Sequence, residues 1–227
     1  MKRPARASSE YLLTLCEVYF DLMGSEIKPT LTVRGFRVYK GLLDLKSQRQ
    51  LVSDLRQVVA QAPMFTPTTP GGRQMSVRMT AAGRYGWYTD ASGYRYVDKQ
   101  RDGQPWPAIP DQVLSVWRDL VSDHREPDCC LINLYREGAK MGLHQDNDEA
   151  DFSWPVLSIS LGDDALFRVG GVERAGKTES FWLNSGDVVL MAGDARLSHH
   201  GIDRIKLGTS TLLEKAGRIN LTLRVVD

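Results

Sequence analysis

The chain has 227 residues, of which 42% are hydrophobic and 25% charged, with a formal net charge of +1. That length supports one domain with a full core, and so even a charge balance excludes a chain that binds polyanions by overall charge, leaving only a local patch for such a role. No run of about 18 apolar residues occurs, so no membrane-spanning helix is expected.

Residues 1–30 read as an extra segment. They start basic (Lys2, Arg3, Arg6) and turn apolar (Tyr11, Leu12, Leu13, Leu15, Val18, Tyr19, Phe20), but Glu10, Glu17 and Asp21 interrupt the stretch, which fits a secretory signal badly. A short amphipathic helix and a synthesis start at Met23 are both open. The three cysteines, Cys16, Cys129 and Cys130, do not build a disulfide framework and read as buried thiols of a reduced cytoplasmic protein.

A short strand and turn are expected over Gly35 to Leu43. Ser47 to Ala60 carries Leu51, Leu55, Val58 and Val59 at helical spacing, with Ser47 as the expected N-cap and Pro63 beyond the end. Residues 66–110 change character. They are rich in Gly and Pro, hold Tyr85, Trp87, Tyr88, Tyr94, Tyr96 and Trp106, and carry a local excess of Lys and Arg over acids. Asp111 to Val121 reads as a second helix, with Val113, Leu114, Trp117 and Leu120 on one face. Short strands follow at Cys129–Tyr135, Val156–Leu161, Ala165–Val169, Ser180–Leu183, Val188–Met191 and Ile219–Val226, separated by turn signals such as Gly170-Gly171 and Asn184-Ser185-Gly186. The pattern predicts an α+β chain in which two packed antiparallel sheets, such as a jelly roll, are supported outside by helices.

Chemistry concentrates at His144-Gln145-Asp146. In an extended segment, residues two apart point the same way, about 6.6 Å apart at Cα, so an imidazole and a carboxylate can converge on one ion. A surface pair would read the same. A second imidazole must come from His124, His199 or His200, the other histidines. Two His and one carboxylate with open positions is the set that non-haem Fe(II) oxygenases use, although zinc hydrolysis draws on the same residue types. The last strand narrows the choice. Arg218, Asn220, Thr222 and Arg224 alternate with Ile219, Leu221 and Leu223. A solvated polar face would show that alternation, but two guanidinium forks and an amide also make a wall for carboxylates. Asn133 and Tyr135 supply a matching polar pair just before His144. A dicarboxylate beside a metal suits such a wall, and a zinc hydrolase leaves it unexplained.

The runs Leu131–Tyr135, Met141–Glu149, Ser158–Gly162, Ser185–Val189, His199–Ile202 and Arg218–Arg224 together resemble the AlkB family of Fe(II)- and 2-oxoglutarate-dependent dioxygenases. The stretches Thr68–Gly72, Met75–Val77, Met79–Thr80 and Gly83–Trp87 resemble the nucleotide-recognition region of its bacterial members. The resemblance runs from about Gly35 to the C-terminus. It implies a double-stranded β-helix (jelly-roll) core over residues 129–227, a nucleotide-recognition lid over 66–110, and one dioxygenase domain over 31–227. It implies Fe(II) on His144, Asp146 and His200, the last chosen by the family's His-Gly pair although His199 precedes it. Asn133, Tyr135, Arg218, Asn220 and Arg224 would hold 2-oxoglutarate, whose keto-acid end would chelate the iron and whose far carboxylate would sit on Arg218. Trp87, Tyr94, Tyr96, Asp148 and Arg174 would contact the substrate nucleotide. Met191 stands where some members are aromatic.

The implied reaction spends O2 and 2-oxoglutarate to hydroxylate an N-alkyl group on a base, releasing formaldehyde and succinate. The implied substrate is alkylated DNA, single-stranded, or RNA. A flipped base would stack on Trp87, with His144 on its other side. Asp148 would favour a cationic lesion, and Arg73, Arg78, Arg84 and Arg95 would meet phosphates. A monomer is expected. An oxygenase acting on a protein or small molecule, and a non-catalytic cupin-like metal-binding module, are the alternatives.

Overall fold

The computed structural model describes residues 27–121 and 125–227. Cys16, the expectations on residues 1–22, Met23 and His124 lie outside the described residues.

A seven-stranded antiparallel sheet has the order β1-β2-β11-β8-β13-β6-β3, and a four-stranded sheet the order β10-β9-β12-β7. In the large sheet the strands are β1 (Leu31–Val33), β2 (Phe36–Tyr39), β3 (Arg78–Gly83), β6 (Cys129–Tyr135), β8 (Val156–Gly162), β11 (Val188–Met191) and β13 (Arg218–Arg224). In the small sheet they are β7 (Met141–His144), β9 (Asp164–Val169), β10 (Glu179–Leu183) and β12 (His200–Lys206). β4 (Gly86–Asp90) and β5 (Gly93–Val97) form a separate hairpin. This is the expected jelly roll. Strands β7 and β12, which carry two of the three metal-ligand candidates, were not expected as strands.

Helix α1 (Leu45–Gln61) is one turn longer at its start than its apolar spacing suggests. Its N-cap is Asp44 rather than Ser47, because the Asp44 carboxylate accepts from the Ser47 backbone N–H at 2.7 Å. Helix α2 (Asp111–Leu120) starts after Pro110, and its Trp117 indole donates to Arg125 O at 2.9 Å. Both helices pack on the outer face of the large sheet. Leu51, Leu55, Val58, Val113 and Trp117 meet Ile132, Leu157, Ile159, Leu221 and Leu223 there. Each such buried side chain contributes about 1.5–3 kcal/mol. A second cluster, including Phe36, Val38, Tyr135, Phe167, Val169, Met191 and Ile202, fills the space between the two sheets.

The large sheet is therefore covered on both faces, and this decides the fate of the β13 polar residues. Their alternation has the expected register, yet the polar face is not solvated. Arg218, Asn220, Thr222 and Arg224 are all buried between the sheets. Burying charge without partners is strongly unfavourable, so that space must supply partners or a ligand.

Away from that space, Asp163 holds the loop before β13. Its carboxylate accepts from the backbone N–H groups of Thr209, Ser210 and Gly217 at 2.9, 3.0 and 2.6 Å, and the residue is buried. Asp163→Ala leaves three donors without their acceptor. We expect it to lower unfolding free energy by about 3 kcal/mol, read from urea denaturation.

Candidate metal centre and co-substrate wall

The small sheet brings His144 and His200 together. They are direct partners across the β7–β12 pair, with ring centroids 4.6 Å apart. Asp146, just past β7, completes the group. His144 Nε2 lies 3.7 Å from Asp146 Oδ1, and His200 Nε2 lies 3.7 Å from Asp146 Oδ2. One ligand atom from each residue falls within 4.8 Å of the others.

Each imidazole is oriented by its far nitrogen. His144 Nδ1 is 2.9 Å from Gly142 O, and His200 Nδ1 is 3.1 Å from Ser198 O. A proton on Nδ1 satisfies each carbonyl and leaves the Nε2 lone pair facing Asp146. Burial, with His144 beside it, pushes the His200 imidazole down to about 4, so its lone pair is available at neutral pH. Burial alone would raise the Asp146 carboxyl. Arg224, His200 and His144 outweigh it and hold the carboxyl well below the usual range.

The two adjacent histidines take different positions. His200 is in the cluster, whereas the ring of His199 turns its Nδ1 toward Gly171 O at 3.3 Å. The strand pairing requires a glycine after His200. A Cβ there would meet Met141 O at 2.5 Å and Gly142 O at 2.7 Å, both backbone atoms of the facing strand.

The donor set fits a divalent cation. Asp146 Oδ1 accepts from Arg224 Nη2 at 2.8 Å, but Asp146 Oδ2 is buried without any hydrogen-bond partner. An orphaned buried carboxylate oxygen between two imidazole nitrogens is costly unless something positive is bound. Two imidazoles and one carboxylate on one side leave the other coordination positions facing a cavity of about 360 Å³.

Asn220, Thr222 and Arg224 of β13 line that space together with Asn133, Tyr135 and Ser158, whereas Arg218 is not among its lining residues. Asn220 pairs in register with Asn133 on β6 and with Ser160 on β8. Arg218 donates to Ser160 Oγ at 3.0 Å and to Asn220 Oδ1 at 2.7 Å, and its guanidinium carbon sits 5.3 Å from the Tyr135 ring centre. Ser158 donates to Asn220 Oδ1 at 2.8 Å, and Asn220 Nδ2 donates to Thr222 Oγ1 at 2.8 Å. Yet Arg218 Nε and Nη1, Arg224 Nε and Nη1, and Asn133 Oδ1 are buried without hydrogen-bond partners, Arg224 Nε having only an ion pair with Glu149 at 3.2 Å. Burial lowers the Arg218 guanidinium to about 10, which keeps it charged at neutral pH. A wall of unspent cationic donors fits a carboxylate-bearing co-substrate. Ser158, Ser160 and Thr222 join this wall; their alternation on β8 and β13 was the available signal.

Above the wall the same cavity is lined by Met75, Met79, Trp87, Tyr94, Asp148 and Arg174. Trp87 donates its indole N–H to Asp148 Oδ2 at 2.9 Å and stacks on Tyr94 at 5.3 Å between ring centres, 19° from parallel. Tyr96 is outside this lining. Its hydroxyl donates to buried Glu149 at 2.5 Å. Glu149 and Arg196 carried no signal in the sequence, because their role depends on contacts between distant loops. Of the four arginines expected at phosphates, Arg95 is paired twice with Asp90, at 2.8 and 2.6 Å, Arg84 pairs with Asp227 at 3.1 Å, and Arg78 donates to Met64 O at 3.0 Å. Arg73 is exposed.

Because a side chain at position 201 would force β7 from β12, Gly201→Ala should separate His144 from His200. We expect Co(II) affinity, measured by titration calorimetry, to fall by about tenfold or more.

Residues 35–224 match the 2OG-Fe(II) oxygenase superfamily. The chain is 54% identical over 198 residues to an alpha-ketoglutarate-dependent dioxygenase AlkB homolog of Caulobacter vibrioides, covering 87% of this chain and 90% of that one. It is 41% identical over 181 residues to the alpha-ketoglutarate-dependent dioxygenase AlkB of Escherichia coli, covering 77% and 83%. The solved structure of OsALKBH1 superposes with a TM-score of 0.75 at 30% identity, covering 86% of this chain and all of the other. An enzyme of this kind uses Fe(II), 2-oxoglutarate and O2, and the orphaned Asp146 oxygen and unspent guanidinium donors suit both bound groups. The chain belongs to the AlkB family of Fe(II)- and 2-oxoglutarate-dependent dioxygenases.

Proposed function

We propose that the chain oxidatively demethylates alkylated bases in DNA, with single strands as its preferred substrate and RNA as a second one. The observation that carries this reading is the shared cavity. The metal triad, the carboxylate wall and the Trp87–Tyr94 pair all line or adjoin one space of about 360 Å³, the scale of a flipped base with a small co-substrate. Residues 31–227 act as one dioxygenase domain, with 66–110 as the recognition region and 129–227 as the catalytic core. Residues 1–30 are an addition to it. The protein works as a monomer in the cytoplasm; among the described residues no helix is long and apolar enough to cross a membrane.

His144, Asp146 and His200 hold the iron. Asn133, Tyr135, Arg218, Asn220 and Arg224 hold 2-oxoglutarate, with its far carboxylate on Arg218. Bound iron and co-substrate supply oxygen activation coupled to decarboxylation, in which one oxygen atom ends in succinate and the other in formaldehyde. The chain's own residues bind and orient. Tyr135 is buried, and burial raises its phenol, so it stays a donor to a carboxylate. Trp87 and Tyr94 offer aromatic faces to the base, and Arg174, exposed at the rim, meets the nucleotide. Asp148 sits at the mouth with one oxygen on the Trp87 indole. It favours a cationic alkylated base over neutral normal bases.

The direct test adds a methylated oligonucleotide to protein loaded with Fe(II) and 2-oxoglutarate, and follows succinate and formaldehyde. One formaldehyde per succinate is expected. Succinate without formaldehyde contradicts the nucleobase reading and leaves the oxygenase standing. Trp87→Ala should raise KM for the oligonucleotide about tenfold or more, since base stacking contributes about 1–3 kcal/mol. Asp148→Ala should cut kcat/KM about tenfold on a cationic methylated base and far less on a neutral alkylated one. Equal losses on both would remove charge selection from the account.

A further inference from the structure

Glu149 is buried beside the metal centre, and nothing in the proposed reaction uses it. Its Oε1 accepts from the Tyr96 hydroxyl at 2.5 Å and lies 3.2 Å from Arg224 Nε. Its Oε2 accepts from Arg196 Nη2 at 3.0 Å. Both arginines then reach Asp146. Arg224 Nη2 donates to the Asp146 carboxylate at 2.8 Å, and Arg196 Nη1 donates to its backbone carbonyl at 2.5 Å. Arg196 Nε is spent on Trp154 O at 2.7 Å. The metal ligand is thus held at its side chain and its backbone by two guanidinium groups that share one carboxylate.

The charges balance only as a set: two buried cations, Arg196 and Arg224, against two buried anions, Asp146 and Glu149. Removing one partner of such a set leaves an uncompensated buried charge. Among the described residues Arg224 ion-pairs with Asp146 and Glu149; without Glu149 it is left with Asp146, and its fork matches both carboxylate oxygens. One of those, Oδ2, is the oxygen that has no protein partner and faces His200.

We propose that Glu149 is a positioning residue that restrains Arg224 to one oxygen of Asp146 and so keeps the other free for the metal, and that Tyr96 anchors this carboxylate instead of contacting the substrate. Tyr96 is the direct cross-strand partner of Trp87 on the β4–β5 hairpin. The same contact therefore ties the hairpin that bears the base-stacking residue to the metal ligand. A hydrogen bond from a hydroxyl to a carboxylate is charge-assisted. Burial raises the Tyr96 phenol, which keeps it a donor. The inference rests on His144, Asp146 and His200 being the metal ligands.

The test uses the full chain and the isosteric variants Tyr96→Phe and Glu149→Gln. Co(II) is titrated without 2-oxoglutarate, and succinate per formaldehyde and KM for a methylated oligonucleotide are then measured with Fe(II). Both variants should bind Co(II) about tenfold more weakly. Both should form more than one succinate per formaldehyde, while the oligonucleotide KM of Tyr96→Phe stays within about twofold of wild type. A raised KM in Tyr96→Phe with unchanged Co(II) affinity makes Tyr96 a substrate contact and overturns the proposal. So does a lower Tm in both variants with unchanged Co(II) affinity. If Glu149→Gln does not fold, Tyr96→Phe decides alone. A wild-type chain that takes up no Co(II) overturns the metal assignment itself, and the proposal with it.

Discussion

The ion pair between Arg224 and Asp146, 2.8 Å long and buried between two sheets, is the constraint on which the rest of the site depends. It joins the last strand of the large sheet to the turn after β7 of the small one. Both groups are nearly inaccessible to water, so each must be compensated by protein or by ligand. The protein compensates only half of Asp146. One oxygen is bonded and the other is left between two imidazole nitrogens, which is an arrangement that a cation completes.

The same incompleteness runs along β13. Arg218 spends one nitrogen on Ser160 and Asn220 and leaves two without partners. A fold that buried these groups for stability alone would pair them all. Here the helices α1 and α2 seal the far face of the sheet with apolar side chains, and the orphaned atoms of Arg218, Arg224 and Asn133 are kept between the sheets, with Arg224 and Asn133 lining the cavity that also holds His144, Asp146 and His200. The site is thus a gap between two sheets that holds orphaned buried polar atoms and is also lined by Trp87, Tyr94 and Asp148.

Part of this was legible in the order of residues. Strand periodicity is a local property, so the alternation of Arg218, Asn220, Thr222 and Arg224 and the two-residue spacing of His144 and Asp146 could be read directly. Direction was not. Whether the β13 polar face met water or a second sheet depends on what packs against it, and only the structure supplies that. β12 is not evident as a strand because His200-Gly201 opens it and Asp203, Arg204 and Lys206 crowd it, a pattern that resembles a loop. The N-cap moved from Ser47 to Asp44 because either side chain can cap, and the choice lies in the backbone at Asp44. Tyr96 was expected at the substrate through the family resemblance; its hydroxyl donates to Glu149, 53 residues away, a pairing that no local pattern encodes.

Anaerobic addition of Fe(II) and then 2-oxoglutarate to the full chain, followed by iron content and visible absorption, tests most directly that the triad and the guanidinium wall form one site. The expected result is one Fe(II) per chain and a charge-transfer band that grows in only when 2-oxoglutarate is added. That band should vanish in Asp146→Ala and need far more 2-oxoglutarate in Arg218→Ala. A wild-type chain that binds no Fe(II), or a band that survives Asp146→Ala unchanged, would contradict it.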